Sequence, residues 1–382
     1  MALETATHIN DLVITNPDGL DDLSQGDNHI RMLKDVIKRD LPLTTPATAL
    51  GISLLTSPSA FAANSSLGVV PAGGRNKIIN GGFTIDQRYD GVGGTIPTGG
   101  TVTYRTDRFY AYATGASLTG GAQNLFDQTP NFSVAGAALN TGWGVGTRLP
   151  RLVSRSMTGI HTLSVKISSN VARIITWSIY RAATEDAFGN ITTPTRTLVS
   201  TGSWNYTGGG GVVQFSASVD LTYGSNTGFE IVFTGGALLA TENVALLQVQ
   251  LESGNIAAEN IVFDWGDPTA ELARCKYFYN RFTANGGLSV LGSGHQNSTT
   301  VSRITLPISD MRENPTVAFG GSVLLDIAGA TTAATLSTQY NSINTVAFDV
   351  THAAVGAAGG AVMLQLPNSA ANYIELDSEL YT

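Results

Sequence analysis

Two periodicities divide this chain. Near the start, "SQGDNHIRMLKDVIKRDLP" (24–42) places Ile30, Leu33 and Ile37 at steps of three and four, with Leu41 four further on. That spacing predicts an amphipathic helix. Ser24 reads as its cap, with Asp27 three residues on as an acidic variant of the capping box, and Pro42 as its stop. Arg31 and Asp35, and Asp35 and Arg39, are spaced for i,i+4 pairs. The apolar stripe is narrow, closer to a coiled-coil seam than to the broad face of a core helix. A helix of under five turns is marginal alone in water, so this one calls for partners.

From about residue 76 the period becomes two. "HTLSVKI" alternates Leu163, Val165 and Ile167; "IITWSIY" alternates Ile175, Trp177 and Ile179; "VVQFSASV" alternates Val213, Phe215, Ala217 and Val219. "GFEIVF" and "LLQVQLE" continue the pattern with Phe229, Ile231, Phe233 and then Leu247, Val249, Leu251. Gly, Asn, Ser and Thr clusters bound each run. Half-buried antiparallel strands joined by turns predict a sandwich or jelly roll. "DWGDPTAELARC" interrupts the rhythm, and Asp267 followed by Pro268 predicts about two turns of helix. A second series then follows, "SRITLPI", "PTVAF", "NTVAFDV", "AVMLQLP" and "NYIEL". The expected class is mainly β: a helical region over 1–45, a Pro/Ser/Ala-rich linker over 46–75, a jelly-roll sandwich over 76–265, and a short helix plus a C-terminal sandwich over 266–382.

Charge sharpens the first boundary. Of 50 charged residues among 382, 12 lie within 1–45. Only 13% of the chain is charged, about half the usual share, and Gly numbers 43. A surface so poor in charge is covered by Ser, Thr, Asn and Gly or by copies of the chain itself. The net charge of −8 and the lack of a basic stripe exclude a phosphate-binding face, so no nucleic-acid partner is expected. A single cysteine, Cys275, and five scattered histidines offer neither a disulfide framework nor metal-ligand spacing; no cofactor or metal is expected. "ALGISLLTSPSAFAANS" ends like a secretory signal but starts about fifty residues in and is broken at Thr56–Pro58, so it reads as linker. No run reaches the ~20 apolar residues of a membrane span, and no membrane insertion is expected.

Catalytic patterns do not assemble. Glu185 and Asp186 sit in a loop-like "TEDAFGN" as a solvated turn, His161 and Asp107 lack a nucleophile motif, and "GVGG" (91–94) opens no strand–loop–helix unit. The chain is therefore expected not to be an enzyme. Aromatics in Gly- and Asn-rich stretches are better candidates: Trp143 in "NTGWGVGTR", and Trp204 with Tyr206 in "SWNYTGGGG". Such rings suit sugar faces, though the same rings could fill a core or an inter-subunit seam. "GSGHQNSTT" (292–300) adds His295, Gln296 and Asn297 as hydrogen-bonding groups on a polar loop.

Several stretches resemble one family. "INDLVITNPDGLDDLSQGDNHIRMLKDVIKRDLP" (9–42) resembles the N-terminal region of bacteriophage tail-fibre and tail-appendage proteins, where an N-P element precedes S-Q-G-D-x-H-I-R-x-L-K and a helix. Asn16, Pro17, Ser24, Gln25, Gly26, Asp27, His29, Ile30, Arg31, Leu33 and Lys34 carry the match. "RNKIINGGFTIDQRYDG" (75–91) and "YRTDRFYAY" (104–112) are similar to the opening strands of the jelly-roll modules of those proteins. "ALLQVQLESGNIAAENIVFDWGDPTAELARCKYFYNRF" (245–282) is similar to the closing strand and following helix, departing at Ala258, where Thr is common, and at Phe278-Tyr279, where Tyr-Tyr is common. "LGSGHQNSTTVSRITLPISDMRENPTV" and "IELDSEL" resemble a C-terminal sandwich of the same group. The resemblance implies a virion protein made in the bacterial cytoplasm: a homotrimer, docked on phage tail proteins by its N-terminal region, whose β-domains meet a host surface glycan. Asn16, Pro17, Ser24, Asp27, His29, Ile30, Arg31, Leu33 and Ile37 would then form the attachment region and trimer seam. The rival readings are a tail or neck adaptor that binds only other virion proteins, and a glycan-degrading tailspike, which the absence of a long internal repeat disfavours.

Overall fold

The computed structural model describes residues 26–40, 75–126, 129–222, 226–284, 287–355, 358–369 and 371–381. The chain divides into two compact units, Met1–Val70 and Pro71–Thr382. Asn16, Pro17, Ser24 and the linker up to residue 74 lie outside the described residues.

In the first unit, helix α1 spans Gly26–Asp40. Asp27 falls in its first turn, where a carboxylate complements the helix dipole, and accepts from Arg31 at 2.6 Å. Val36 and His29 are buried. Ile30, Leu33 and Ile37 form a separate stripe that stays 41–53% exposed. His29 therefore lies on the buried side of α1 and not on the exposed apolar stripe.

The second unit is almost entirely strand and turn. Its sandwich consists of β1 (Gly94–Ile96), β2 (Thr103–Thr106), β3 (Phe109–Thr114), β4 (Leu118–Phe126), β5 (Thr129–Ala135) and β6 (Gly142–Leu149), then a short helix α2 (Arg151–Ser154). The strands β7 (Ile160–Ser169), β8 (Arg173–Ala182), β9 (Arg196–Tyr206), β10 (Val213–Asp220), β11 (Phe229–Gly235) and β12 (Asn243–Ser253) complete it. They form two six-stranded sheets, ordered β1-β4-β5-β12-β7-β10 and β2-β3-β6-β11-β8-β9, whose ladders are antiparallel. The alternating residues read from sequence, among them Leu163, Val165, Ile167, Ile175, Trp177, Ile179, Phe229, Ile231 and Phe233, meet in the core between the sheets.

Helix α3 (Pro268–Lys276) follows, and Asp267 caps it as the sequence predicts, its side chain accepting from the Ala270 N–H at 2.8 Å. The remaining strands are β13 (Tyr279–Thr283), β14 (Ser289–Gln296), β15 (Val301–Pro307), β16 (Thr316–Gly320), β17 (Val323–Ile327), β18 (Ala330–Ser342), β19 (Thr345–His352), β20 (Ala361–Leu366) and β21 (Tyr373–Asp377). Here the closure differs from the second two-layer sandwich expected from the pattern. Strands β14-β15-β19-β18-β17-β20 close into a barrel, with β13-β21-β16 as a three-stranded sheet beside it. Closure removes edges that an open sheet of these Thr- and Ala-rich strands would expose. Its interior is filled by Ile304, Leu306, Leu325, Phe348, Val350 and Leu364. No helix among the described residues is long and apolar enough to cross a membrane.

Candidate functional site

Trp143, Trp204 and Tyr206 are not surface groups. Trp143 lies on β6, and Trp204 and Tyr206 on β9, where the Gly- and Asn-rich surroundings had predicted loops. All three belong to the sandwich core, with exposures of 2%, 9% and 0%. Strand alternation turns them inward: Trp204 stacks with Phe215 and Phe233 at centroid distances of 5.7 and 6.2 Å, and its Nε1 donates to Ser216 O at 3.3 Å. Tyr206 donates from its hydroxyl to Gly211 O at 2.6 Å. Their assignment as receptor contacts is corrected accordingly. Gln296 is likewise buried, its amide donating to Val355 O. His295 and Asn297 do stay exposed, at the end of β14 and in the turn that follows. Glu185 and Asp186 form the expected turn, with Glu185 paired to Arg151 and Asp186 accepting from the Arg151 N–H at 2.7 Å.

Several buried charges of this charge-poor unit gather in one place that sequence reasoning missed. "DQRYD", "TDRFY", "KYFYN" and "LDSEL", distant in sequence, meet between the sandwich and the barrel. Glu379, wholly buried, pairs with Arg108, also wholly buried, and lies 3.4 Å from Arg88. Arg88 also donates to Asp377 at 2.9 Å. Arg108 stacks on the Phe278 ring, 3.5 Å from its centroid, and Arg88 on that of Tyr279 at 3.7 Å. Arg148 donates to Glu230 at 2.6 Å and to the carbonyl of Leu380 at 2.5 Å, while Arg196 takes the other oxygen of Glu230 and Tyr110 donates to the first at 2.7 Å. Arg88, Arg108, Arg148 and Arg196 each have a carboxylate partner, so the junction functions as a clasp between the two β-bodies rather than as a free cationic site.

Asp107 belongs to the same junction, accepting from the Gln87 backbone at 2.6 Å and side chain at 2.9 Å. Burial pushes its carboxyl up to about 7, with Arg88 and the Gln87 hydrogen bonds opposing. A folded pKa above the ordinary 3.8 means that the folded chain holds a proton the unfolded chain has released. The resulting stabilisation is complete below about pH 4 and is lost as pH rises through about 7. Melting temperature is therefore expected to fall between these values, and Asp107→Asn to flatten that slope in melts recorded across the range. An unchanged slope would place the proton elsewhere.

The two outer faces of the sandwich differ. That of the β1-β4-β5-β12-β7-β10 sheet is crossed at one end by residues 256–265, while residues 76–81 extend the sheet in its own plane. The chain at 76–81 runs beside β12, with Lys77 N donating to Leu251 O at 2.9 Å and Asn76 to Val249 O at 3.0 Å. Residues 256–265 cross the same face, where Arg75 donates to Val262 O at 2.8 Å and Asp264 N to Gln250 Oε1 at 2.7 Å. The outer face of the β2-β3-β6-β11-β8-β9 sheet is covered only at one end, where Ile191 packs on Tyr104 and Tyr110.

The rest of that second face is open. Ladder register aligns Tyr112, Gly144, Thr234, Thr176 and Ser203 in one row across β3, β6, β11, β8 and β9. The adjacent row, Tyr110, Gly146, Val232, Ser178 and Thr201, borders the covered end: Tyr110 and Val232 are buried in it, and the row opens only toward Ser178 and Thr201. Glycine at 144 and 146 is required by the rings: a Cβ on Gly144 would meet Tyr112 at 2.2 Å, and one on Gly146 would meet Tyr110 at 2.4 Å. Tyr112 and Tyr180 are half-buried, and Arg196 lies over the Tyr180 ring at 4.4 Å. Thr176, Ser178 and Thr234 are half-buried; Thr201, Ser203 and Asn205 are exposed. The alternate residues of "FYAYAT", "GWGVGT" and "TWSIY" were the available signal: the in-pointing partners read as core, and the Tyr, Gly, Thr and Ser between them define this face.

No described protein family matches the chain, and no curated protein does. Solved structures with similar folds include the enzymatically active domain of bacteriophage CBA120 tailspike protein 4, at 11% identity and a TM-score of 0.32, covering 47% of this chain and 21% of that one. Others are TmCBM61 in complex with β-1,4-galactotriose, at 10% identity and 0.25, covering 47% and 100% of the two chains, and the CBM22-1 xylan-binding domain of Paenibacillus barcinonensis Xyn10C, at 12% and 0.27, covering 44% and 98%. The functional reading that follows rests on the residues of the chain itself.

Proposed function

We propose that this chain is a non-enzymatic attachment fibre of a bacteriophage tail, which acts as a homotrimer and binds carbohydrate on the host surface. The observation that carries the reading is the outer face of the β2-β3-β6-β11-β8-β9 sheet, where tyrosine rings laid over glycines adjoin an array of half-buried and exposed hydroxyls. The resemblance of several stretches to tail-appendage proteins supplies the biological setting. Helix α1 supplies the association surface, because Ile30, Leu33 and Ile37 stay exposed and are spaced for a coiled-coil seam. Three copies of a weak site act together, because tethering raises the effective concentration of the second and third. In an adsorption assay, the purified chain should compete with the phage for its host, and cells stripped of surface polysaccharide should no longer bind it. Equal binding to stripped and intact cells would end the carbohydrate reading.

Leu33→Asp is expected to convert the trimer to monomers in sedimentation while the 71–382 unit keeps its melting temperature, because it puts a charge into the seam without touching that unit. A trimer that survives this change would be held by other surfaces.

One feature favours the adaptor reading. An apolar groove lies between α2 and α3, lined by Ile79, Pro150, Leu152, Val153, Tyr277 and Phe278, with Leu152 more than half exposed. A virion protein seated there would make the chain a connector. Imaging of the virion discriminates, since an adaptor is occupied at both ends and a fibre has a free tip.

A further inference from the structure

We infer that the open face of the β2-β3-β6-β11-β8-β9 sheet is a binding site for a neutral polysaccharide, one that bears no carboxylate, sulfate or phosphate. The inference rests on the carbohydrate reading above and specifies its site and ligand class.

Three properties of the face select the ligand. Its polar groups are hydroxyls and one amide: Thr176, Ser178, Thr201, Ser203, Thr234 and Asn205. A hydroxyl both donates and accepts and rotates to suit its partner, as a sugar hydroxyl does, so the two arrays satisfy each other without burying an unpaired group. The Tyr112 ring, laid across Gly144, supplies the apolar element on which the C–H face of a pyranose packs. Five strands at ~4.8 Å spacing make the platform about 19 Å wide, room for several sugar rings in succession.

Charge then separates neutral from acidic glycans. The cations beside the platform are Arg148, over the Tyr110 ring, and Arg196, over Tyr180, and both are bound to the buried carboxylate of Glu230. Arg196 has a side-chain exposure of 9%, and Arg148 has none. An acidic sugar would have to compete with Glu230 for these guanidiniums and give up its hydration to do so. Among the described residues of the two rows there is no Lys, Arg or His. A folded protein ligand is disfavoured as well, since the open part lacks the contiguous large apolar groups that anchor protein interfaces.

The test uses the full chain on an array of neutral polymers of hexoses and N-acetylhexosamines alongside polymers of uronic and sialic acids. Retention on at least one neutral polymer is expected. Tyr112→Ala and, separately, Thr176→Trp, which fills the middle of the platform, should each weaken it about tenfold or more, whereas Tyr112→Phe should keep most of it. Should Tyr112→Ala lower the melting temperature, Thr176→Trp decides, because its ring projects into open space. Neutral binding untouched by Thr176→Trp would overturn the site and leave the carbohydrate reading standing. Preferential retention on acidic polymers would overturn the ligand class alone. Retention on none of the array would overturn both this inference and the reading beneath it.

Discussion

Glu379→Gln is expected to destabilise the 71–382 unit by about 3–5 kcal/mol, the cost of breaking a buried ion pair from one side. Glutamine keeps the shape of glutamate but removes the charge that faces Arg108. Arg108 is wholly buried and gives its second terminal nitrogen to the Arg148 carbonyl, so it can neither reach water nor find another carboxylate. Arg88 loses part of its pairing and keeps Asp377 at 2.9 Å. The loss should be read as a shift of the denaturation midpoint. The double change Arg108→Met with Glu379→Met should recover much of it, because an apolar pair of similar volume removes the stranded charge. A single-mutant cost under about 1 kcal/mol would show the pair to be solvated and the clasp to lie elsewhere. Breaking the clasp should also be felt at the platform. Arg148 spans the two, joining Glu230 at the covered end of the same face to the Leu380 carbonyl of the segment that carries Glu379.

That clasp shows where sequence reading stops. Many strands of the unit were legible: β7, β8, β10, β11, β12, β15, β16, β19, β20 and β21 follow runs whose alternation is plain, and α3 follows its Asp-Pro start. Among the strands that were missed, β9, β14 and β18 are rich in Thr, Ser, Gly and Ala. Such residues carry weak apolar alternation and also compose turns, so local pattern cannot separate the two. The inward turn of Trp143 and Trp204 was hidden for the same reason: a tryptophan among glycines looks like a loop until the ladder fixes which face it takes. Pairing of Glu379 with Arg108 spans 271 residues and leaves no local trace. The concentration of charge into a few short motifs, in a chain otherwise short of it, was the one available sign that those motifs had partners.

Trp204 should be costly to remove. Trp204→Ala is expected to destabilise the sandwich by about 3–5 kcal/mol, the range for a large aromatic truncated in a core. Its ring lies 5.9 Å from Trp177, 5.7 Å from Phe215 and 6.2 Å from Phe233, so both sheets lose contacts at once. The cavity left behind cannot close easily. Gly202 sits beneath Trp177, where a Cβ would meet the ring at 2.7 Å, so the neighbouring backbone and indole are already in contact and hold their positions. Trp204→Phe should recover part of the loss by refilling some of the volume, though it gives up the Nε1 hydrogen bond to Ser216. The decisive comparison is with carbohydrate retention measured well below the melting temperature. If Trp204→Ala unfolds early yet binds normally while still folded, the ring is core and the open face of the second sheet is the working surface. If it abolishes binding with its midpoint unchanged, the indole contacts ligand itself, and the packing described for β9 is wrong.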